Sequence, residues 1–121
     1  TDAGMLLGTL AYMSPEQVEG RDVDVRTDVY GLGAVLYELL CGRRPFELDG
    51  LPLTAAIRTI VEREPPPPSS QRGRLPKELD WIVGKALRKE PAARYASVAE
   101  FAADVQRLLD DEPVVAAPPG A

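Results

Sequence analysis

Apolar positions recur at helical spacing in five stretches of the chain, and no stretch carries a convincing strand pattern. Residues 1–13 have no period, include Gly4 and Gly8, and read as a loop. At Ser14-Pro15-Glu16-Gln17 a helix start is spelled out: Ser14 can cap, Pro15 suits the first helical position, and Gln17 closes a capping box. Gly20 offers a stop, so this helix is short. From Val29 to Cys41, residues Val29, Leu32, Val35, Leu36, Leu39 and Leu40 cover most of a helix's circumference. Such a helix is expected to be buried at the centre of a lobe, with Gly42 ending it. After Pro52, the residues Leu53, Ala56, Ile57, Ile60 and Val61 form one buried stripe. The Pro65–Pro68 run stops that helix and is expected to be extended and solvated, either as a plain loop or as a proline-rich ligand. A fourth helix is predicted over 76–88, and a fifth opens at Ser97 with a second capping box to Glu100.

The expected fold is mainly α, about five helices around one buried central helix, over residues 1–109. From Asp110 the chain turns acidic and then rich in Pro, Ala and Gly, which predicts a flexible linker over 110–121. A length of 121 residues fits one small domain or part of a larger one. The start without Met, inside a loop-like stretch, favours the second.

Composition narrows the chemistry. The net charge is −5 and no basic cluster is longer than Arg43-Arg44, so nucleic acid is not an expected partner. There is no histidine, hence neither the commonest general base nor the commonest metal ligand. The single cysteine, Cys41, lies in an apolar run and reads as a small hydrophobe rather than a nucleophile. Glu38 interrupts the longest apolar stretch, no signal peptide opens the chain, and a cytoplasmic location is expected.

Three clusters stand out: Gly8-Thr9-Leu10-Ala11-Tyr12-Met13-Ser14-Pro15-Glu16, Asp28-Val29-Tyr30-Gly31-Leu32-Gly33, and Pro91-Ala92-Ala93-Arg94-Tyr95. Taken singly, each has a plain explanation. Asp28 suits a helix N-terminus as a cap, a job Thr27 can also do, and Glu16 lies at another N-terminus where an acid needs no special role. Arg94 fits a solvated charge between two amphipathic helices.

Taken together, in this order and spacing, they resemble the protein kinase family over residues 1 to about 109. The first cluster resembles the end of the activation segment, where the family writes Ala-Pro-Glu and this chain has Ser14-Pro15-Glu16. The second resembles the start of the central helix. Gly42-x-x-Pro45-Phe46 resembles the turn after it, and Pro91-x-x-Arg94-Tyr95 the arginine motif before the last helix. Gly31 stands where a serine is common, and a glycine inside a helix is expected there either to permit close packing or to be tolerated at a cost of about 0.5–1 kcal/mol. The resemblance implies an ion pair between Glu16 and Arg94 and a role for Asp28 in holding the catalytic loop. It implies that Gly8, Thr9, Leu10, Ala11, Tyr12 and Met13 receive the substrate residue that follows the phosphorylated one, with Thr9 touching the catalytic aspartate. Thr1 is a candidate phosphorylation site. Thr9, without a proline-and-tryptophan pattern, is like serine/threonine kinases, and Tyr12 to Gln17 and Leu36 to Phe46 look most like bacterial receptor-type kinases. In those, a linker and often a membrane helix follow the domain.

The same resemblance defines what the 121 residues do not carry: a glycine-rich loop, an ATP-pairing lysine, a catalytic-loop aspartate and asparagine, and the aspartate of Asp-Phe-Gly. Gly31-Leu32-Gly33 lies inside a helix and is no substitute. Asp22, Asp24 and Asp28 lack the glycine and glutamate of a calcium loop. ATP and magnesium are therefore expected in an intact parent and not on this chain. Its expected partners are Ser/Thr-bearing protein substrates and the N-terminal lobe and catalytic loop of its own domain. The alternative is a non-catalytic remnant or protein-binding scaffold, and a catalytic-loop motif with Asp-Phe-Gly upstream of Thr1 would separate the two.

Overall fold

The computed structural model describes residues 8–120. Residues 8–10 form a helical turn that leads into α1, Pro15–Val18. The Ser14 hydroxyl accepts the Gln17 amide and the Gln17 side chain accepts the Ser14 amide, which completes the capping box. Helix α2, Val25–Cys41, begins four residues before the predicted Val29. Asp24 is its cap, accepting the Arg26 amide at 2.8 Å, while Thr27 Oγ1 accepts the Asp24 amide at 3.3 Å. Neither Asp28 nor Thr27 is the cap residue. The helix ends at Gly42, whose φ of 71° places it in the left-handed region.

Helix α3 is Leu53–Glu62. The proline run that follows is not simply a solvated loop: Pro68 is buried as the first residue of a short α4, Pro68–Gln71. The Pro66 carbonyl accepts the Tyr37 hydroxyl at 2.8 Å, and the Asp80 carboxylate accepts both the amide and the hydroxyl of Ser69. Helix α5 is Lys77–Ala86, a single 3₁₀ turn covers Pro91–Ala93, and α6 is Val98–Leu109. The Ser97 hydroxyl accepts the Glu100 amide, but the Glu100 carboxylate takes the Ala96 amide, one residue before the reciprocal partner of a full box.

Helix α2 is the spine. It packs against α4, α5, α6 and the 3₁₀ turn, while α1 packs against α3. Gly33 makes the closest crossing, since a Cβ there would lie 2.8 Å from the Ala86 Cβ of α5. At Gly31 a Cβ would lie an ordinary 3.9 Å from the Tyr12 carbonyl, so of the two readings the glycine there is tolerated rather than required by close packing. Cys41 is half-buried, and burial pushes its thiol pKa up, which disfavours the nucleophilic thiolate.

The described residues form a helical lobe without a strand, as the spacing predicts. Two expectations are corrected. The spine is not buried all round: Val29, Ala34 and Tyr37 are inside, but Leu32, Val35 and Leu39 are 45%, 42% and 74% exposed along one stripe. The region after Leu109 is also not uniformly a solvated linker, because Val114 and Ala116 are buried in the core beside Val29, Ile82 and Phe101.

Candidate functional site

Glu16 enters the lobe from the second position of α1, and Arg94 from the end of the 3₁₀ turn. Their side chains meet in a two-pronged pair. Arg94 Nη1 lies 2.6 Å from Glu16 Oε2, and Nη2 lies 2.8 Å from Oε1, with both side chains 2% exposed or less. A guanidinium has five N–H donors in a fixed fork, and each is used here. Nε donates to the Arg88 carbonyl at 2.7 Å, Nη1 also to Arg26 O and Nη2 also to Lys89 O, both at 3.1 Å. The Tyr30 ring lies beneath the guanidinium carbon at 5.0 Å. Thr27 Oγ1 adds a hydrogen bond to Glu16 Oε2 at 2.8 Å. Burial alone would raise the Glu16 pKa, but hydrogen bonds from Arg94, the backbone and Thr27 outweigh it and pull the carboxyl down to about 2.

The pair fastens the segment before α1 to the floor of the lobe. Within that segment, Leu10 and Ala11 turn inward and pack with Phe46, Leu48, Ala56 and Ile60. Gly8, Thr9, Tyr12 and Met13 face outward and line a shallow depression together with Gln17. The six residues singled out from the sequence therefore divide into four on the surface and two beneath it.

Asp28 is exposed in the first turn of α2, apart from this depression's lining and from the Glu16–Arg94 pair. Thr1 lies outside the described residues.

A second cluster beside the depression was not anticipated. The Tyr12 hydroxyl donates to the Glu38 carboxylate, at 2.5 and 2.9 Å from its two oxygens. Arg44 lies over the Tyr12 ring at 5.7 Å and 3.8 Å from Glu38. In the sequence Glu38 shows only as a charge interrupting an apolar helix, and that interruption is the signal that it has a partner.

Residues 2–106 match the family model described as the protein kinase domain. The chain belongs to the protein kinase family. Bacterial serine/threonine kinases are among its relatives. It is 45% identical over 113 residues to serine/threonine-protein kinase PknB of Mycobacterium tuberculosis, covering 93% of this chain and 18% of that protein. It is 43% identical over 117 residues to serine/threonine-protein kinase Pkn1 of Myxococcus xanthus, covering 97% of this chain and 17% of that one. The chain thus spans less than a fifth of the length of these curated relatives. Among solved structures, the kinase domain of Mycobacterium tuberculosis PknI superposes with a TM-score of 0.64 at 31% identity, over 81% of this chain and 34% of that one.

The matched span includes the depression and both members of the buried pair in this kinase-family lobe. Among its described residues, no helix is long and apolar enough to cross a membrane. Nor do they gather three or more His, Cys, Asp or Glu side chains fit to hold a metal ion.

Proposed function

We propose that this chain is the substrate-docking and scaffolding part of a serine/threonine protein kinase domain, which as a whole transfers the ATP γ-phosphate to Ser or Thr of protein substrates. The observation that carries this reading is the buried Glu16–Arg94 pair. It spends a fully satisfied guanidinium on holding one short surface segment, and that segment's outer face is a depression of Gly8, Thr9, Tyr12 and Met13. A rigidly held, shallow, uncharged lining suits a peptide side chain better than a phosphate. In this reading the depression receives the residue after the phosphorylated one, Thr9 meets the catalytic aspartate, and Asp28 supports the catalytic loop. Thr1, just upstream, is the proposed activation-segment phosphorylation site.

Phosphoryl transfer needs positioned phosphates, metal ions and a base. The 121 residues hold no glycine-rich loop, and the described ones gather no metal-binding set. In this reading nucleotide and magnesium are handled by a part of the domain outside this chain. The stripe of Leu32, Val35 and Leu39 supports the same division, since it leaves an apolar face of the spine 42–74% exposed.

The test pairs two measurements. Calorimetry of the chain with ATP in magnesium is expected to give no binding, and micromolar affinity overturns the assignment. A longer protein carrying this chain is expected to phosphorylate Ser or Thr of a protein substrate and itself at Thr1. A longer protein with no kinase motif upstream and no transfer makes the lobe a non-catalytic scaffold instead.

A further inference from the structure

We propose that residues 112–117 form a strap, latched to α6 by the Asp104 carboxylate, that opens and closes independently of the helical core. Helix α6 ends at Leu109, and the chain reverses through Asp111, a non-glycine residue at φ 58°. The Glu112 amide bonds back to the Arg107 carbonyl at 2.8 Å. Val114 and Ala116 then insert into the core beside Val29, Ile82, Ala86, Tyr95 and Phe101.

The Asp104 carboxylate is fully buried and accepts four hydrogen bonds. Two come from the strap backbone, the amides of Val115 at 2.7 Å and Ala116 at 3.0 Å. Two come from outside it, the Tyr95 hydroxyl at 2.5 Å and Arg107 Nη1 at 3.1 Å. This division is what makes a latch. When the strap lifts, water reaches Asp104, and Tyr95 and Arg107 still hold it, so the open state strands no buried charge. The closed state gains two charge-assisted hydrogen bonds and two small buried side chains.

Beyond the Asp104 bonds, the Glu112 amide and the seats of Val114 and Ala116, little else holds the strap. Its own backbone contributes one turn, from the Ala117 amide to the Val114 carbonyl at 3.3 Å, and Val115 is 60% exposed. A short segment seated by two small side chains and a few backbone hydrogen bonds opens at lower free energy than a core helix. When closed, the strap leads Pro118 and Pro119 over α5 beside Trp81, Lys85 and Arg88, which fixes where the following chain leaves the lobe. Asp104 is thus a positioning residue for that exit. Its partner Tyr95 adjoins Arg94, so the latch and the Glu16 tether share one loop.

Amide hydrogen exchange in the protein that carries this chain tests the latch. The wild-type amides of Val115 and Ala116 are expected to exchange through an opening that leaves Ile82 and Val83 protected. Asp104→Asn keeps the size but turns an NH₂ toward one of the two amides, which bond to different carboxylate oxygens, and removes the charge that strengthens the other bond. It is expected to cut protection at Val115 and Ala116 at least tenfold, with less than a twofold change at Ile82 and Val83. Val114→Ser releases the strap from its own side and is expected to do the same if Asp104→Asn fails to fold. The proposal is overturned if both variants leave the strap amides unchanged, or if strap and core amides exchange together in the wild type. Global unfolding by Val114→Ser overturns it too, because the strap would then be part of one cooperative core.

Discussion

Arg94 and Glu16, 78 positions apart, close a fully desolvated two-pronged pair in which the remaining donors of the guanidinium end on backbone carbonyls. Removing one partner leaves the other charge buried and alone, which typically costs about 3–5 kcal/mol. A solvated pair would cost only about 0–1 kcal/mol. In a double-mutant cycle of Glu16→Ala and Arg94→Ala, followed by denaturant unfolding, each single change is expected to be severe and the double little worse than either. Arg94→Lys is expected to be damaging as well, because an ammonium cannot supply the fork or reach three carbonyls at once. Losses that simply add, each below about 1 kcal/mol, would show the two residues to be energetically independent.

The same carboxylate sets a pH dependence with a definite sign. The Glu16 pKa falls from an ordinary 4.5 to about 2 in the folded lobe, so the unfolded chain takes up its proton first as the pH drops. Its contribution to stability is complete above the ordinary value and is lost as the pH falls through about 2. Denaturant unfolding across that window is expected to show a steeper loss for the wild type than for Glu16→Gln, which has no proton to take up. Parallel curves would mean that the folded carboxyl titrates normally.

Two glycines of the spine, two residues apart, are expected to respond oppositely to alanine. At Gly31 a Cβ has ordinary room, 3.9 Å from the Tyr12 carbonyl, so Gly31→Ala gains helix propensity of roughly 0.5–1 kcal/mol. At Gly33 a Cβ would lie 2.8 Å from Ala86 Cβ and 3.3 Å from Leu87 Cδ2, on a buried crossing that cannot yield by swinging a side-chain end. Overpacking there costs about 1–3 kcal/mol, enough to offset the same propensity gain. Thermal melts of both variants test this, and a stabilised Gly33→Ala would mean that α5 gives way freely.

What the sequence made legible follows the range of the interactions. The caps at Ser14 and Ser97 and the stop at Gly42 are local, and each is where the residues predict it. The start of α2 was missed because its apolar period begins at Val29, whereas the capping carboxylate is at Asp24, in a stretch with three acids to choose from. Pro68 opens a helix because Asp80 orders Ser69 from 11 positions away, and no local pattern encodes that. Periodicity gave α2 as apolar nearly all round, but it cannot tell a covered face from a bare one. The acid–amide pairing that seats Val114 and Ala116 is likewise invisible in a segment whose composition reads as linker. Only the kinase resemblance paired Glu16 with Arg94, since neither residue's neighbours point to the other.

The bare stripe of the spine gives the last prediction. Leu32, Val35 and Leu39 follow one another at three- and four-residue steps, so they share a face, and each is more than two-fifths exposed. If this face is covered in a complete kinase domain, burying one such side chain contributes about 1.5–3 kcal/mol there. Three together would then rival a domain's whole stability of about 5–15 kcal/mol. In the chain alone the same positions are already wet, and surface substitutions are usually worth within about 0.5 kcal/mol each. The triple change Leu32→Ser, Val35→Ser and Leu39→Ser is therefore expected to act oppositely in two settings. In the chain alone it should cost no more than about 1.5 kcal/mol and reduce apolar-dye binding and aggregation. In the longer protein it should abolish cooperative unfolding or soluble yield. Equal melting of wild-type and triple-variant longer proteins would show that the stripe stays exposed there, and that this lobe does not join a larger domain through its spine.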